Sequence, residues 1–340
     1  MTLRADDLER AGLIAPDQLD EVRRVAQQFQ VALTDEVAAL IDPADPADPI
    51  AAQFMPAAAE LEVADEERDD PIGDERWSPV PGIVHRYPDR VLLKPSLVCP
   101  VYCRFCFRRE QIGAKGSVLG PVALGRAYDY IRARPKIWEV IVTGGDPFLL
   151  APRRIAAMVE TLSAIGHVQV MRFHTRVPVV DPRRVGPALV KALGAEKAVY
   201  VAIHANHPRE LTDGVRAAVA RLTGAGIPVL SQSVLLRGVN DDAVVLEELF
   251  RRLVAMRVRP YYLHHPDLAR GTARFRGDIA HGQALMRELR GRASGLCQPT
   301  YVLDIPDGYG KSPIGPSYLS ADGAVVEDFN GRRHRYPPQR

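Results

Sequence analysis

The chain has 340 residues, 46% apolar and 25% charged, which is enough for one large α/β domain with an accessory segment and too apolar for a disordered chain. Its 44 basic and 42 acidic side chains leave a formal net charge of +2, so no nucleic-acid surface built on bulk positive charge is expected. The opening, MTLRADDLERAGL, carries acids where a signal peptide needs a basic and then an apolar run, and no apolar run reaches the roughly 18 residues of a membrane span. A cytoplasmic protein without a membrane partner is the expectation.

Residues 1–78 read as a helical region and linker, because VRRVAQQFQVAL and DEVAALI space apolar residues by three and four before DPADPADP breaks the pattern. The acidic stretch from Ala64 to Arg76 reads as an exposed connection. From Arg90 the rhythm changes, and strands are predicted at VLLKPSL, IWEVIVT, VQVMRFH, AVYVAIH, IPVLSQSVLL and VRPYYLH. Helices are predicted between them at GRAYDYIRA, RRIAAMVETLSAI, DGVRAAVARLTGAG and DAVVLEELFRRLVAM. Six consecutive βα units over residues 79–292 imply an α/β fold with a parallel sheet covered by helices, whose chemistry collects at the C-terminal ends of the strands. Residues 293–340 form a third segment, in which Asn330-Gly331 within VVEDFNGRRHRY signals a hairpin.

Four cysteines, three of them within eight positions, do not resemble a secreted disulfide framework and point to a metal site in a reducing compartment. Cys99, Cys103 and Cys106 follow the first of the six strands. Thiolates suit zinc or iron–sulfur centres, but a closed site of either kind takes four protein ligands. Cys297 is almost two hundred residues away, so the economical reading is a cluster with its fourth iron left open; a zinc site completed by Cys297 or a distant histidine, and three cysteines without function, are the alternatives. The spacing CxxxCxxC after the first strand of a βα series resembles the radical S-adenosylmethionine (SAM) superfamily. That resemblance implies a partial (βα)6 TIM-type barrel and a 4Fe–4S cluster whose open iron is chelated by SAM. Thr143-Gly-Gly-Asp-Pro147 follows the second strand and on its own is a turn; within the resemblance, Gly144, Gly145 and Asp146 form the motif that meets the SAM amino group.

Five ordered phrases resemble the lysine 2,3-aminomutase family over residues 45–335: HRYPDRVLL, CxxYCRFCFRR, HANHP, QSVLLRGVND and PTYVLDIPDGYGKSPIGPSY. Members use pyridoxal 5′-phosphate (PLP) as well as SAM. Lys311, in a glycine-containing loop after TYVLDI, is by itself a solvated loop residue; in the family phrase it is the lysine to which PLP attaches. Asp307 and Tyr309 depart from the family's more glycine-rich loop. Arg86, Tyr87 and Arg90 match the PLP phosphate anchor, although an ion pair with Asp89 would also explain the arginines. Arg108 matches the arginine that clamps a substrate carboxylate, while Arg104 and Arg109 balance the cluster's negative charge. Arg176, His204 and Gln232 end later strands, as polar caps or, by the resemblance, as SAM contacts. His264 and His265 carry no assigned role.

A buried ammonium needs opposing carboxylates. Asp267 and Asp304 occupy the positions where lysine-using members carry two such ligands, Asp267 alternatively capping a turn. The resemblance therefore implies an isomerase that interconverts L-lysine and β-lysine by radical 1,2-amino migration and needs a flavodoxin- or ferredoxin-type electron donor. Rival readings are an aminomutase for another amino acid, one making β-lysine to modify elongation factor P, and a non-catalytic iron–sulfur or zinc scaffold. Asp242 follows GVND where zinc-clamped members have a cysteine, and none follows Cys297, so no structural zinc is expected and a homo-oligomer is left open.

Overall fold

In a computed structural model that describes residues 2–113 and 118–338, the chain opens with two short paired strands, β1 (Thr2–Leu3) and β2 (Leu33–Thr34), and three helices, α1 (Leu19–Gln28), α2 (Asp35–Ala38) and α3 (Pro49–Phe54). These do not stand apart from the rest of the chain. Leu8, Val22, Ile50 and Phe54 join the same buried apolar cluster as the barrel strands, and Asp48 caps α3 through Ile50 N and Ala51 N while pairing with Arg209 at 2.7 Å.

Next come β3 (Ile83–Tyr87), β4 (Arg90–Ser96), α4 (Pro121–Arg132), β5 (Glu139–Gly144), α5 (Pro152–Ser163) and β6 (Val170–Thr175). After them lie α6 (Val177–Val180), α7 (Pro187–Ala192), β7 (Ala198–His204), α8 (Asp213–Gly224), β8 (Val229–Val234), α9 (Ala243–Ala255) and β9 (Val258–His264). The chain ends with α10 (Ile279–Arg292), β10 (Thr300–Ile305), β11 (Gly310–Pro313), β12 (Val325–Glu327) and β13 (Arg333–Arg335). All six predicted strands form, within two or three residues at each end. Their apolar runs suit a sheet covered on its faces, as in Glu139–Gly144, where four successive residues are buried. Prolines at the starts of α4 and α5 cost no internal hydrogen bond, and Asp242 caps α9 through Val244 N and Val245 N.

Nine strands make one sheet in the order β11-β10-β9-β8-β7-β6-β5-β4-β3, parallel from β4 to β10 with an antiparallel strand at each edge. The two edges approach where Tyr87 Oη accepts from Lys311 N at 2.6 Å, so the sheet is a nearly closed barrel. Four features differ from expectation. β3 precedes the first of the six predicted strands and is not among them. The helix α10 was not among those anticipated: Gly282 interrupts its pattern, yet a Cβ there would lie 2.3 Å from Tyr301 Oη, so close packing on β10 requires the glycine. Lys311 is not in a loop. Asp307 (φ 63°) and Gly308 (φ 81°) turn the chain tightly enough for Gly310–Pro313 to return as an edge strand, with Lys311 opposite Asp304.

Finally, the acidic stretch is not simply exposed. Residues 71–74 are buried, and Glu67 accepts from Gly271 N at 2.8 Å and Thr272 N at 3.1 Å, strapping this segment to the loop after β9. The hairpin β12–β13 turns around Asp328, whose side chain accepts from Asn330 N and Arg332 N. No helix among the described residues is long and apolar enough to cross a membrane.

Candidate active site

The cysteine loop leaves β4 and is stitched to its surroundings by backbone hydrogen bonds. Gly145 N donates to Ser96 O (2.7 Å), Asp146 N to Val98 O (2.9 Å), Tyr102 N to Ala32 O (2.8 Å) and Arg104 N to Gln53 O (2.8 Å). A Cβ on Gly145 would sit 2.4 Å from Val98 O, so the glycine lets β5 press against the loop that carries Cys99. Below lies an ion cluster in which the fully buried Glu60 accepts from Arg104 Nε at 2.9 Å through both oxygens, pairs with Arg109, and lies 3.7 Å from Arg274. Arg104 and Arg109 are thus held by a carboxylate from the N-terminal region.

Arg176 donates to Cys103 Sγ at 2.8 Å and, through its other terminal nitrogen, to Gln53 and Glu210 at 2.8 Å each. The Asp146 carboxylate is occupied by four donors: Thr175 Oγ1, Arg176 N, Val177 N and Phe148 N. Both side chains are therefore bound within the protein. His204 Nε2 lies 3.1 Å from Asn206 Oδ1, and its ring stacks on Phe105; burial holds it well below its ordinary pKa, with Arg176 adding to the effect. Burial likewise pushes the Cys99 thiol well up, with nearby Asp146 adding to the effect, so a thiolate there calls for a cation.

One cavity of about 550 Å³ is lined by every residue singled out from the sequence as a ligand. At one side are the three cysteines with Gly144, Gly145, Asp146, Arg176, His204 and Gln232. Arg86, Tyr87, Arg90, Arg108, Asp267, Asp304 and Lys311 line the rest. The Lys311 ammonium pairs with Asp304 Oδ2, and His264 Nδ1 lies 3.7 Å from the same oxygen. Although burial opposes it, the nearby His264 ring and the Lys311 charge hold Asp304 well below the usual carboxylate range. Its other oxygen, buried, has no hydrogen bond; Arg86 Nη1 is 3.8 Å away. Asp267 makes no side-chain hydrogen bond or ion pair among the described residues, and burial, with Asp304 nearby, pushes it up to about 7.

Arg86 reaches Ile72 O (2.6 Å) and Asp74 (3.2 Å), while Arg90 pairs with Asp89 at 2.6 Å and stacks 3.7 Å over Tyr87. A Cβ on Gly310 would lie 2.7 Å from Tyr87 Oη, so the glycine lets Tyr87 reach the backbone of Lys311. The sequence did not single out Asp74, Glu60, Gln53, Glu210 or His174. The first four are buried polar groups; for Glu60 and Asp74 the one signal is the three arginines of CRFCFRR, which need buried acids, whereas Gln53 and Glu210 hold Arg176. His174, at the end of β6, lines the cavity with a buried, unpartnered Nε2. Cys297 is buried elsewhere, and His265 Nδ1 bonds Tyr301 Oη at 2.8 Å.

Three soft thiols beside arginines fit an iron–sulfur cluster, and an amine that shares a cavity with two arginines and a tyrosine fits PLP. No three His, Cys, Asp or Glu side chains among the described residues gather to hold a single metal ion; a cubane asks instead for one thiolate on each of three irons. The barrel and its cysteine loop are those of a radical SAM enzyme, and residues 93–249 match the radical SAM superfamily, which implies a 4Fe–4S cluster and SAM. Residues 286–339 match the family described as lysine-2,3-aminomutase. The chain is 39% identical to the L-lysine 2,3-aminomutase of Clostridium subterminale, an alignment covering 96% of this chain and 79% of that one. It is 35% identical to the L-lysine 2,3-aminomutase of Bacillus subtilis strain 168 (98% and 71%), and 36% identical to a glutamate 2,3-aminomutase of Clostridioides difficile (94% and 75%). This chain belongs to the lysine 2,3-aminomutase family of radical SAM isomerases.

Proposed function

We propose that this protein is a PLP-dependent amino-acid 2,3-aminomutase whose substrate is L-lysine, converted to β-lysine. The observation that carries the reading is Asp267, a half-buried carboxylate with no side-chain partner among the described residues, in the same cavity as Lys311, Arg108 and the three cysteines. A carboxylate that faces a cavity from which a bound ligand would exclude water is costly to leave unpaired unless that ligand brings a cation to meet it. Cys99, Cys103 and Cys106 would hold the cluster, with Gly144, Gly145, Asp146, Arg176, His204 and Gln232 around SAM. Lys311 would attach PLP, with Arg86, Tyr87 and Arg90 at its phosphate. When bound, the cluster supplies the electron that cleaves SAM, and PLP supplies the conjugation that steadies a radical beside the migrating nitrogen.

Arg108 would take the substrate α-carboxylate, and Asp267 and Asp304 its distal ammonium. Asp304 already pairs with the Lys311 ammonium, so this carboxylate can receive a primary ammonium in the cavity. Two carboxylates at this end favour a cationic substrate over glutamate, whose side chain they would repel. A reduced electron donor of flavodoxin or ferredoxin type, and a cytoplasmic setting, go with this reading.

The test is anaerobic reconstitution with iron, sulfide, PLP, SAM and reductant, followed by chromatography of incubations with lysine and with glutamate. β-Lysine as the main product supports the reading. A neutral or acidic amino acid rearranged faster than lysine overturns it.

A further inference from the structure

Asp74 lies in the stretch that reads from sequence as an exposed connection, yet it is 1% exposed and sits among three cations. Its Oδ2 accepts from Arg108 Nε at 3.0 Å and Arg108 Nη2 at 2.8 Å, and lies 3.6 Å from Lys94 Nζ. Its Oδ1 accepts from Arg86 Nη2 at 3.2 Å. The backbone around it is fixed as firmly. Asp74 N and Glu75 N donate to the Asp70 carboxylate at 2.9 and 2.8 Å, and Ser78 Oγ donates to Asp74 O at 2.8 Å. Gly73 packs so closely on the turn before Lys311 that a Cβ would lie 2.6 Å from the Asp307 carbonyl carbon.

An arginine head carries five N–H donors and can be gripped along its Nε/Nη2 edge or its Nη1/Nη2 edge. Asp74 takes the first edge. Nη1 has no hydrogen-bond partner among the described residues, and Arg108 lines the cavity, so the second edge is left for a ligand. One carboxylate among three cations also leaves a positive surplus, and anion binding at this place is preserved.

We infer that Asp74 is a positioning residue for the substrate carboxylate: it grips Arg108 by one edge so that the other faces the cavity, and it holds Arg86 and Lys94 close by. This rests on the proposed role of Arg108. Removing the negative charge raises the local positive potential, which by itself would strengthen anion binding. It also frees the guanidinium to turn and sets three like charges against one another. Bidentate recognition depends on a fixed planar fork, so the loss of orientation decides the sign.

The test compares L-lysine with 1,5-diaminopentane, which is lysine without its carboxylate, by anaerobic calorimetric titration of holoenzyme without reductant, so that no turnover occurs. Asp74→Asn should weaken lysine by about tenfold or more while changing diaminopentane less than about twofold, and Asp74→Glu, which keeps a carboxylate, should recover most of the loss. Iron content of each variant checks that the cysteine loop has formed. Lysine binding unchanged or tighter in Asp74→Asn, or both ligands weakened alike, overturns the inference. A wild type that binds lysine no better than diaminopentane overturns the carboxylate role of Arg108 itself, and this inference with it.

Discussion

Two clusters of ionisable side chains in this barrel differ in what they leave over. Beneath the cysteine loop, Glu60 meets Arg104 and Arg109, all three buried and hydrogen-bonded to one another. Across the cavity, among the described residues, the Asp267 side chain has no partner, Asp304 keeps one buried oxygen without a hydrogen bond, and His174 keeps one nitrogen. A buried charge that is fully paired fixes a backbone, whereas one left unpaired persists only where a ligand completes it. The first cluster therefore reads as scaffold and the second as site.

Breaking each side of that contrast should give different failures. The largest effect is expected from Cys103→Ala, which should abolish cluster assembly and SAM cleavage while Cys297→Ala spares both; iron and sulfide content and 5′-deoxyadenosine release measure this. Next, borohydride should fix a pyridoxyl label on Lys311, seen by peptide mapping, and Lys311→Ala should lose it; a label on another lysine contradicts the assignment. On the scaffold side, Glu60→Gln strands two buried guanidinium groups and should cost about 3–5 kcal/mol of stability, read as a lower urea midpoint. The smallest effect is a pH dependence. Asp267 is protonated below about 7 in the empty site and must ionise to meet an ammonium, so the KM for lysine should fall as pH rises through that value. Asp267→Asn should flatten this limb.

The parallel strands were legible because each is a short Val- and Ile-rich run bounded by breakers, and the cysteines, Gly145, Asp146 and Arg176 because they fall just after those strands, whereas Arg86, Tyr87, Asp304 and Lys311 were legible only through the family phrases. What escaped depends on distant partners. Gly282 weakens a helical pattern for a reason found only in Tyr301, and Lys311 becomes a strand residue only because β10 is there to pair with it. Asp74 sits in an acidic run where nothing local separates it from Glu75, its exposed neighbour. The fold makes that difference by bringing Arg86, Lys94 and Arg108 to one of the two.

The most direct measurement is the rate of β-lysine formation from L-lysine by reconstituted wild type and by Asp267→Asn, with cluster and PLP content verified in both. Loss of one partner of a buried charge should lower kcat/KM by roughly two to four decades, the equivalent of about 3–5 kcal/mol. Equal turnover in the two proteins would contradict the claim that the unpaired carboxylate exists to hold the substrate's ammonium.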